Sequence, residues 1–378
     1  MNNIYLDYAA TTPVRKEILE SYKKLLDLSY ANSDSIHALG SEASKYLTAA
    51  RKQIASLLNV KDKEVIFTSG STESNNLVVK GVALAYKGRG KHIITSAIEH
   101  PSLLDSCKWL EENMDFEITY LPVDKDGRVT LESLKKALRK DTILVSVMAI
   151  NNELGSINDI YNLSKYVKEN STALFHCDAT QAMGKENIDY SYVDLYNFSG
   201  HKIYSLKGSG VLIKKEKARL TPLISGGQQE FNLRGGTINY HSHIMCSKAL
   251  RMAFENHNKE YEHVKMIHDY LLNKLTATFD DLIVNSSYNS TPYILNFAFK
   301  NKRGEVIVNA LSNKGIYVSS KSACSSYSKE YSKSVYEVTH DEFISKNSLR
   351  VSFSYLTSKE EIDIFVKELK EIHDELKG

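Results

Sequence analysis

Leu174-Phe175-His176-Cys177-Asp178-Ala179-Thr180-Gln181 sets the architecture of this chain. Its first four residues read as a buried strand, and the run closes on a carboxylate followed by small and polar residues. A carboxylate at the carboxyl end of a parallel strand stands where open α/β sheets bind their ligands. Taken alone, Asp178 reads equally as a helix cap.

Working outward, residues 65–67, 92–95 and 143–147 are similar apolar runs, and 73–86, 102–113, 131–139 and 160–170 have helical periodicity. Near-continuous apolar strands separated by helices predict a mostly parallel sheet covered on both faces. Beyond it the order changes. A long helix over about 241–278, strands at 293–299 and 349–354 and a charged helix over 358–376 predict a smaller α+β part. A chain of 378 residues exceeds the size of one hydrophobic core. The expected division is a large domain over 15–255, with 1–14 and 256–378 forming the small one.

Hydrophobic residues make up 42% and charged residues 25%, the composition of an ordinary globular protein, and a formal charge of +2 exerts no pull toward nucleic acid or membrane. No apolar run has a bilayer-spanning length, and residues 1–13 lack the pattern of a secretory signal. Cys107, Cys177, Cys246 and Cys324 show no paired spacing, which fits a reducing cytoplasm.

Two further segments add chemistry. Ser199-Gly200-His201-Lys202 follows the apolar run at 195–198. A lysine at the end of a buried strand loses its proton readily and suits Schiff-base chemistry, although the motif alone reads equally as a surface turn. Thr68-Ser69-Gly70-Ser71-Thr72-Glu73 turns from a strand through glycine into a helix, a geometry that cradles phosphate or simply caps the helix. Neither a Walker lysine nor GxGxxG is present. A lysine, a carboxylate and a phosphate cradle together describe pyridoxal 5'-phosphate, whose ring nitrogen needs an acidic partner to stay protonated.

With these motifs in view, the sequence resembles cysteine desulfurases of the NifS/IscS type, within the class V aminotransferases of the fold-type-I enzymes. The likeness runs from Tyr5-Leu6-Asp7-Tyr8-Ala9-Ala10-Thr11-Thr12-Pro13 to Arg350, and takes in Glu99-His100, Asn151-Asn152-Glu153, Arg234-Gly235-Gly236-Thr237 and Ser322-Ala323-Cys324-Ser325-Ser326. The resemblance implies a seven-stranded, mostly parallel sheet flanked by helices, and a reaction giving L-alanine and a persulfide on Cys324.

It also implies roles. Lys202 would hold the cofactor covalently and move the substrate's α-proton. Asp178 would pair with the ring nitrogen, Gln181 would bond the ring oxygen, and His100 would stack on the ring and shuttle protons. Ser71, Thr72, Ser199 and His201 would bind the phosphate, with Thr237 reaching it from the second subunit of a homodimer. Asn151 would contact cofactor and substrate, and Arg350 would clamp the substrate carboxylate. No metal is expected: His241, His243 and Cys246 form one loose cluster without a companion.

Some positions depart from the family pattern. Lys321 replaces a glycine before the nucleophile, Ser205-Leu206 replace Gly-Pro, and Ser33 and Tyr331 stand where prolines are usual. Lys321 would favour the Cys324 thiolate by its charge. The altered loop resembles variants that serve tRNA-thiolation enzymes rather than an iron–sulfur scaffold, so the expected partner is a protein sulfur acceptor of one of these kinds. Competing readings are a class V aminotransferase, a selenocysteine lyase, and a binding subunit without activity. Neither enzyme rival needs the Ser-Ala-Cys loop, and the last needs none of the site residues.

Overall fold

The structure, a computed structural model, describes residues 3–320 and 331–376. Strand β1 (Ile4–Tyr5) belongs to the carboxyl-terminal part. The strands β2 (Val65–Thr68), β3 (His92–Ser96), β4 (Glu117–Leu121), β5 (Thr142–Ser146), β6 (Leu174–Asp178), β7 (Leu195–Ser199) and β8 (Gly210–Lys214) form one sheet in the order β2-β8-β7-β6-β5-β3-β4. All pairs are parallel except those of β8 with β7 and β2. Every residue of β3, β5, β6 and β7 is buried, because helices cover both faces.

The first helices, α1 (Lys16–Leu28), α2 (Ala38–Leu57), α3 (Ser71–Tyr86), α4 (Pro101–Met114), α5 (Leu131–Ala137) and α6 (Ile160–Asn170), lie between or before these strands. Helix α6 shows why such segments are helical. Ile160, Leu163, Ser164 and Val167 form one buried stripe, and Asp159 caps the start by accepting from the Asn162 amide.

The sequence does not announce β4 and β8. Strand β4 lies at the sheet edge and mixes exposed and buried residues, unlike the fully buried central strands. Strand β8 starts at Gly210, where a Cβ would come 2.5 Å from the Gly70 Cα, so only glycine lets the strand lie against the turn before α3.

Helix α7 (Tyr240–Thr278) links two cores. Met245, Cys246, Ala249 and Leu250 pack with the large sheet, whereas Val264, Ile267, Leu271 and Leu275 pack with Ile4, Leu6 and the later elements. Those later elements are β9 (Leu282–Val284), β10 (Ile294–Phe299), α8 (Gly304–Asn313), β11 (Ile316–Tyr317), α9 (Lys333–Thr339), α10 (Glu342–Asn347), β12 (Leu349–Ser352) and α11 (Lys359–Glu375). Strand β10 pairs antiparallel with β9 and β12, and β1 pairs parallel with β11. The first residues of the chain thus join the last, and the segment after them crosses to the large sheet.

Candidate active site

The carboxyl ends of β6 and β7, the start of α3, the start of α4 and the segment after β1 converge on one cleft. Ser71, Thr72, His100, Asp178, Gln181, Ser199, His201, Lys202 and Arg350 all line it. Except for Arg350 of β12, each sits at or just after a strand end or at a helix start, which is where an α/β sheet leaves polar backbone and side chains free for a ligand.

At one end, the N-cap of α3 is Gly70, which has no side chain to cover the helix amides. Ser199 Oγ accepts from the Ser71 amide at 2.7 Å, and Ser71 Oγ meets Thr180 Oγ1 at 2.6 Å. Hydroxyls and a helix N-terminus together form an anion cradle. Burial, reinforced by Lys202, Lys207 and Lys185, pushes the His201 imidazole down to about 4. His201 is therefore neutral at pH 7.

Asp178 lies on the floor and is buried. Its Oδ1 accepts from the Thr180 amide at 3.0 Å and its Oδ2 from Asn75 Nδ2 at 2.8 Å. Across the cleft, Lys202 Nζ donates to the carbonyls of Ala9 and Ala10 at 2.6 and 2.7 Å. Gln181 Nε2 donates to the same Ala9 carbonyl at 3.0 Å. The amino-terminal segment is thus a wall of the site. His100 caps α4 through Nδ1, which accepts from the Ser102 amide at 3.1 Å, and burial holds its pKa below the usual imidazole range.

Two expected residues do not line the cleft of this chain. Asn151 is fully buried behind the cleft: its Nδ2 donates to the Ile98 carbonyl at 2.9 Å, and its Oδ1 accepts from the amides of Glu153 and Leu154. Its amide is spent on organising this turn, and the neighbouring Asn152 lines the cleft instead. A family motif marks such a position without distinguishing ligand contact from turn organisation. Thr237 is exposed and does not line the cleft of its own chain. Cys324 and its neighbour Lys321 lie outside the described residues.

Sequence reasoning missed Asn75, Ser102, Asn152 and Thr180. Asn75 and Ser102 carried no signal beyond polar residues near the starts of helices, whereas Thr180 and Asn152 stand in motifs quoted for other residues.

The loose His/Cys cluster disperses. His241 Nε2 meets the Ser29 carbonyl at 2.6 Å, while His243 bonds Ser209 at 2.8 Å and stacks on Phe67. Among the described residues, no group of three or more His, Cys, Asp or Glu side chains is placed to hold a metal.

A buried carboxylate on the floor, a lysine held by backbone carbonyls on the wall and an anion cradle at the end fit the ring nitrogen, aldehyde and phosphate of pyridoxal 5'-phosphate. Fold and cleft together define a fold-type-I enzyme dependent on that cofactor. The chain belongs to the class V aminotransferase family, whose model matches residues 4–365, and within it to the NifS/IscS-type cysteine desulfurases.

It is 42% identical over 377 residues to a cysteine desulfurase IscS of Dictyoglomus turgidum, covering 99% of this chain and 95% of that protein. It is 40% identical to a NifS/IcsS protein homolog of Lactobacillus delbrueckii subsp. bulgaricus, covering 98% and 97%. Among solved structures, a NifS-like protein superposes with a TM-score of 0.92 at 34% identity, covering 99% of this chain and all of that one. The structure of SspA in complex with cysteine superposes with a TM-score of 0.82 at 31% identity, covering 94% and 100%.

Proposed function

We propose that the protein takes the sulfur of L-cysteine onto Cys324 as a persulfide and releases L-alanine. The observation that carries this reading is that the described residues on either side of 321–330 are tied to residues at or beside the cleft. On one side, Ser319 and Arg350 exchange backbone hydrogen bonds at 3.1 and 2.6 Å. On the other, Ser332 Oγ donates to Glu153 Oε2 at 2.6 Å, and Asn151 Nδ2 donates to Ser334 Oγ at 3.1 Å.

The remaining cysteines, Cys107, Cys177 and Cys246, are buried, and burial pushes each thiol up, Cys246 to about 12. They stay protonated at neutral pH and are poor nucleophiles.

When bound, pyridoxal phosphate supplies an electron sink for the charge left after a proton leaves the substrate. Lys202 tethers it and moves that proton. Asp178 keeps the ring nitrogen protonated, Gln181 meets the ring oxygen, and the α3 cradle with Ser199 and His201 holds the phosphate. Arg350 binds the substrate carboxylate. The Cys324 thiolate attacks the substrate sulfur, whose bond to the β-carbon breaks with the electron pair left on that carbon; a proton adds there, and return of the α-proton from Lys202 gives alanine.

A homodimer is supported by exposed apolar residues before α2 and around 223–231, including Tyr30 at 79% and Ile36 at 104% exposure. Thr237 follows the second of these patches and would reach the partner's phosphate. No helix among the described residues is long and apolar enough to cross a membrane. Cytoplasmic work on a protein sulfur acceptor fits, whether a tRNA-thiolation enzyme or an iron–sulfur scaffold, and sulfur transfer to each separates them.

Intact-mass analysis after adding cysteine tests the reading. Extra sulfur on the Cys324 peptide, with alanine released, is the expected result. Loss of both in Cys324→Ala and of visible absorbance in Lys202→Ala should accompany it. A colourless protein that releases no alanine would sink it.

A further inference from the structure

We propose that Asn75 and Ser102 are positioning residues that hold His100 as a single tautomer, with its proton on Nε2, and tie that choice to the Asp178 carboxylate. The inference rests on the proposed placement of His100 and Asp178 at the cofactor ring.

The direction of every hydrogen bond is fixed by two groups that can act in one way only, the Asp178 carboxylate and the Ser102 backbone amide. An ionised carboxylate accepts and cannot donate. Asp178 Oδ2 lies 2.8 Å from Asn75 Nδ2, so the amide must present its NH2 group there; turned over, two acceptors would face each other. The second hydrogen of that NH2 goes to Ser102 Oγ, at 2.9 Å. Ser102 Oγ, already accepting, has its own hydrogen left for His100 Nδ1, at 2.8 Å. The Ser102 amide can only donate, and at 3.1 Å it makes that nitrogen an acceptor, which turns the hydroxyl hydrogen toward it rather than its second lone pair.

Two donors at Nδ1 exclude a proton there, which leaves the neutral ring protonated on Nε2. Asn75 is completely buried, and its Oδ1 has no hydrogen-bond partner among the described residues. The amide thus gives up its acceptor for the sake of its two donors.

The consequence concerns who moves protons. A ring already protonated on Nε2 has no lone pair there to take one from substrate. Accepting at Nδ1 would cost the hydrogen bonds to Ser102. His100 therefore acts as a stacking surface and hydrogen-bond donor, and proton abstraction falls to Lys202. Burial opposes the charged imidazole in the same sense. Of the charged groups facing it, Asp178 from the end of β6 and Asp105 from α4 favour protonation, while Lys202 from the turn after β7 opposes it.

The test is nuclear magnetic resonance of the holoenzyme carrying histidine labelled with heavy nitrogen, with His100 assigned by its loss in His100→Gln. The parent should show a protonated, pyrrole-type Nε2 and an unprotonated Nδ1 across the neutral range. Ser102→Ala keeps the backbone donor but loses the hydroxyl. It should raise the His100 midpoint by roughly one pH unit, the worth of one hydrogen bond, and weaken without abolishing the preference for the parent tautomer. Ser102→Thr should restore the parent pattern.

A parent protonated on Nδ1, or a Ser102→Ala spectrum matching the parent, overturns the proposal. Alanine release by the same parent sample is scored separately. A sample that releases none overturns the assigned reaction, while the tautomer still decides the relay.

Discussion

Arg350 Nη2 lies 2.7 Å from Asp7 Oδ1, an ion pair that joins the last strand to the start of the chain. The guanidinium is 2% exposed, its Nη1 donates to the Asn152 carbonyl, and its Nε has no partner among the described residues. The fork is thus oriented by Asp7 and keeps donors for a second carboxylate. Asp7→Asn leaves a buried charge unpaired and should cost about 3 kcal/mol in urea unfolding. Arg350→Gln should raise KM for cysteine roughly a hundredfold, the worth of a charge-assisted pair of hydrogen bonds. Unchanged KM would remove Arg350 from substrate binding.

Glu99, next to His100, is buried. Its Oε1 accepts from Ser96 Oγ at 2.6 Å and the Met148 amide at 2.9 Å, and its Oε2 has no partner among the described residues. Burial, aided by Asp178, pushes this carboxyl up from 4.5 to about 8. The folded state therefore binds the proton more tightly than the unfolded one. The resulting stability is complete below the unfolded pKa and is lost as pH rises from about 4.5 to about 8, at up to about 1.4 kcal/mol per pH unit. Glu99→Gln should remove that slope, which urea midpoints over this range would reveal. Parallel pH profiles in parent and variant would rule it out.

Lys185 is buried, 3.5 Å from Gln181 Oε1 and 5.6 Å from the Tyr293 ring centre. Burial pushes its amine down to about 8, so below that pH the fold carries a poorly solvated charge. Lys185→Met should be more stable at pH 7 by a few kcal/mol at most. Its advantage should shrink as pH rises from about 8 to 10.5, where the parent's amine is neutral when folded but charged when unfolded. A variant less stable than the parent at pH 7 would show that this ammonium is favourable there.

Glu230, Phe231 and Asn232 are consecutive left-handed residues, with φ of 50°, 59° and 66°. Such backbone costs roughly 1–2 kcal/mol per ordinary residue. It is held by Glu230, which pairs with both terminal nitrogens of Arg51 at 2.7 and 2.8 Å and accepts from the Phe67 amide at 2.8 Å. Glu230→Gln should lower stability by about 3 kcal/mol by unpairing buried Arg51. Arg51→Met with Glu230→Gln should recover part of it, and purely additive losses would deny the coupling.

The central strands were legible because both faces are buried, so their sequence is apolar without interruption. Strand β4 was not, since its exposed edge positions dilute that signal, and β8 depends on a glycine whose need is set by Gly70 in the turn before α3. At the site, Lys202 and Asp178 were legible from residue type and spacing. Asn151 carried the family motif, yet its amide supports the turn and the anchor at Ser334.

The chain alone determined the alternation of strands and helices, the lysine–carboxylate–cradle set and the family, because local pattern and residue chemistry are written residue by residue. Only the tertiary structure decided that the carbonyls of Ala9 and Ala10 hold Lys202, 193 and 192 residues away, and that Asp178, Asn75 and Ser102 form one directed chain to His100. Hydrogen-bond direction depends on which donors and acceptors meet in space, and folding alone brings these groups within 3 Å.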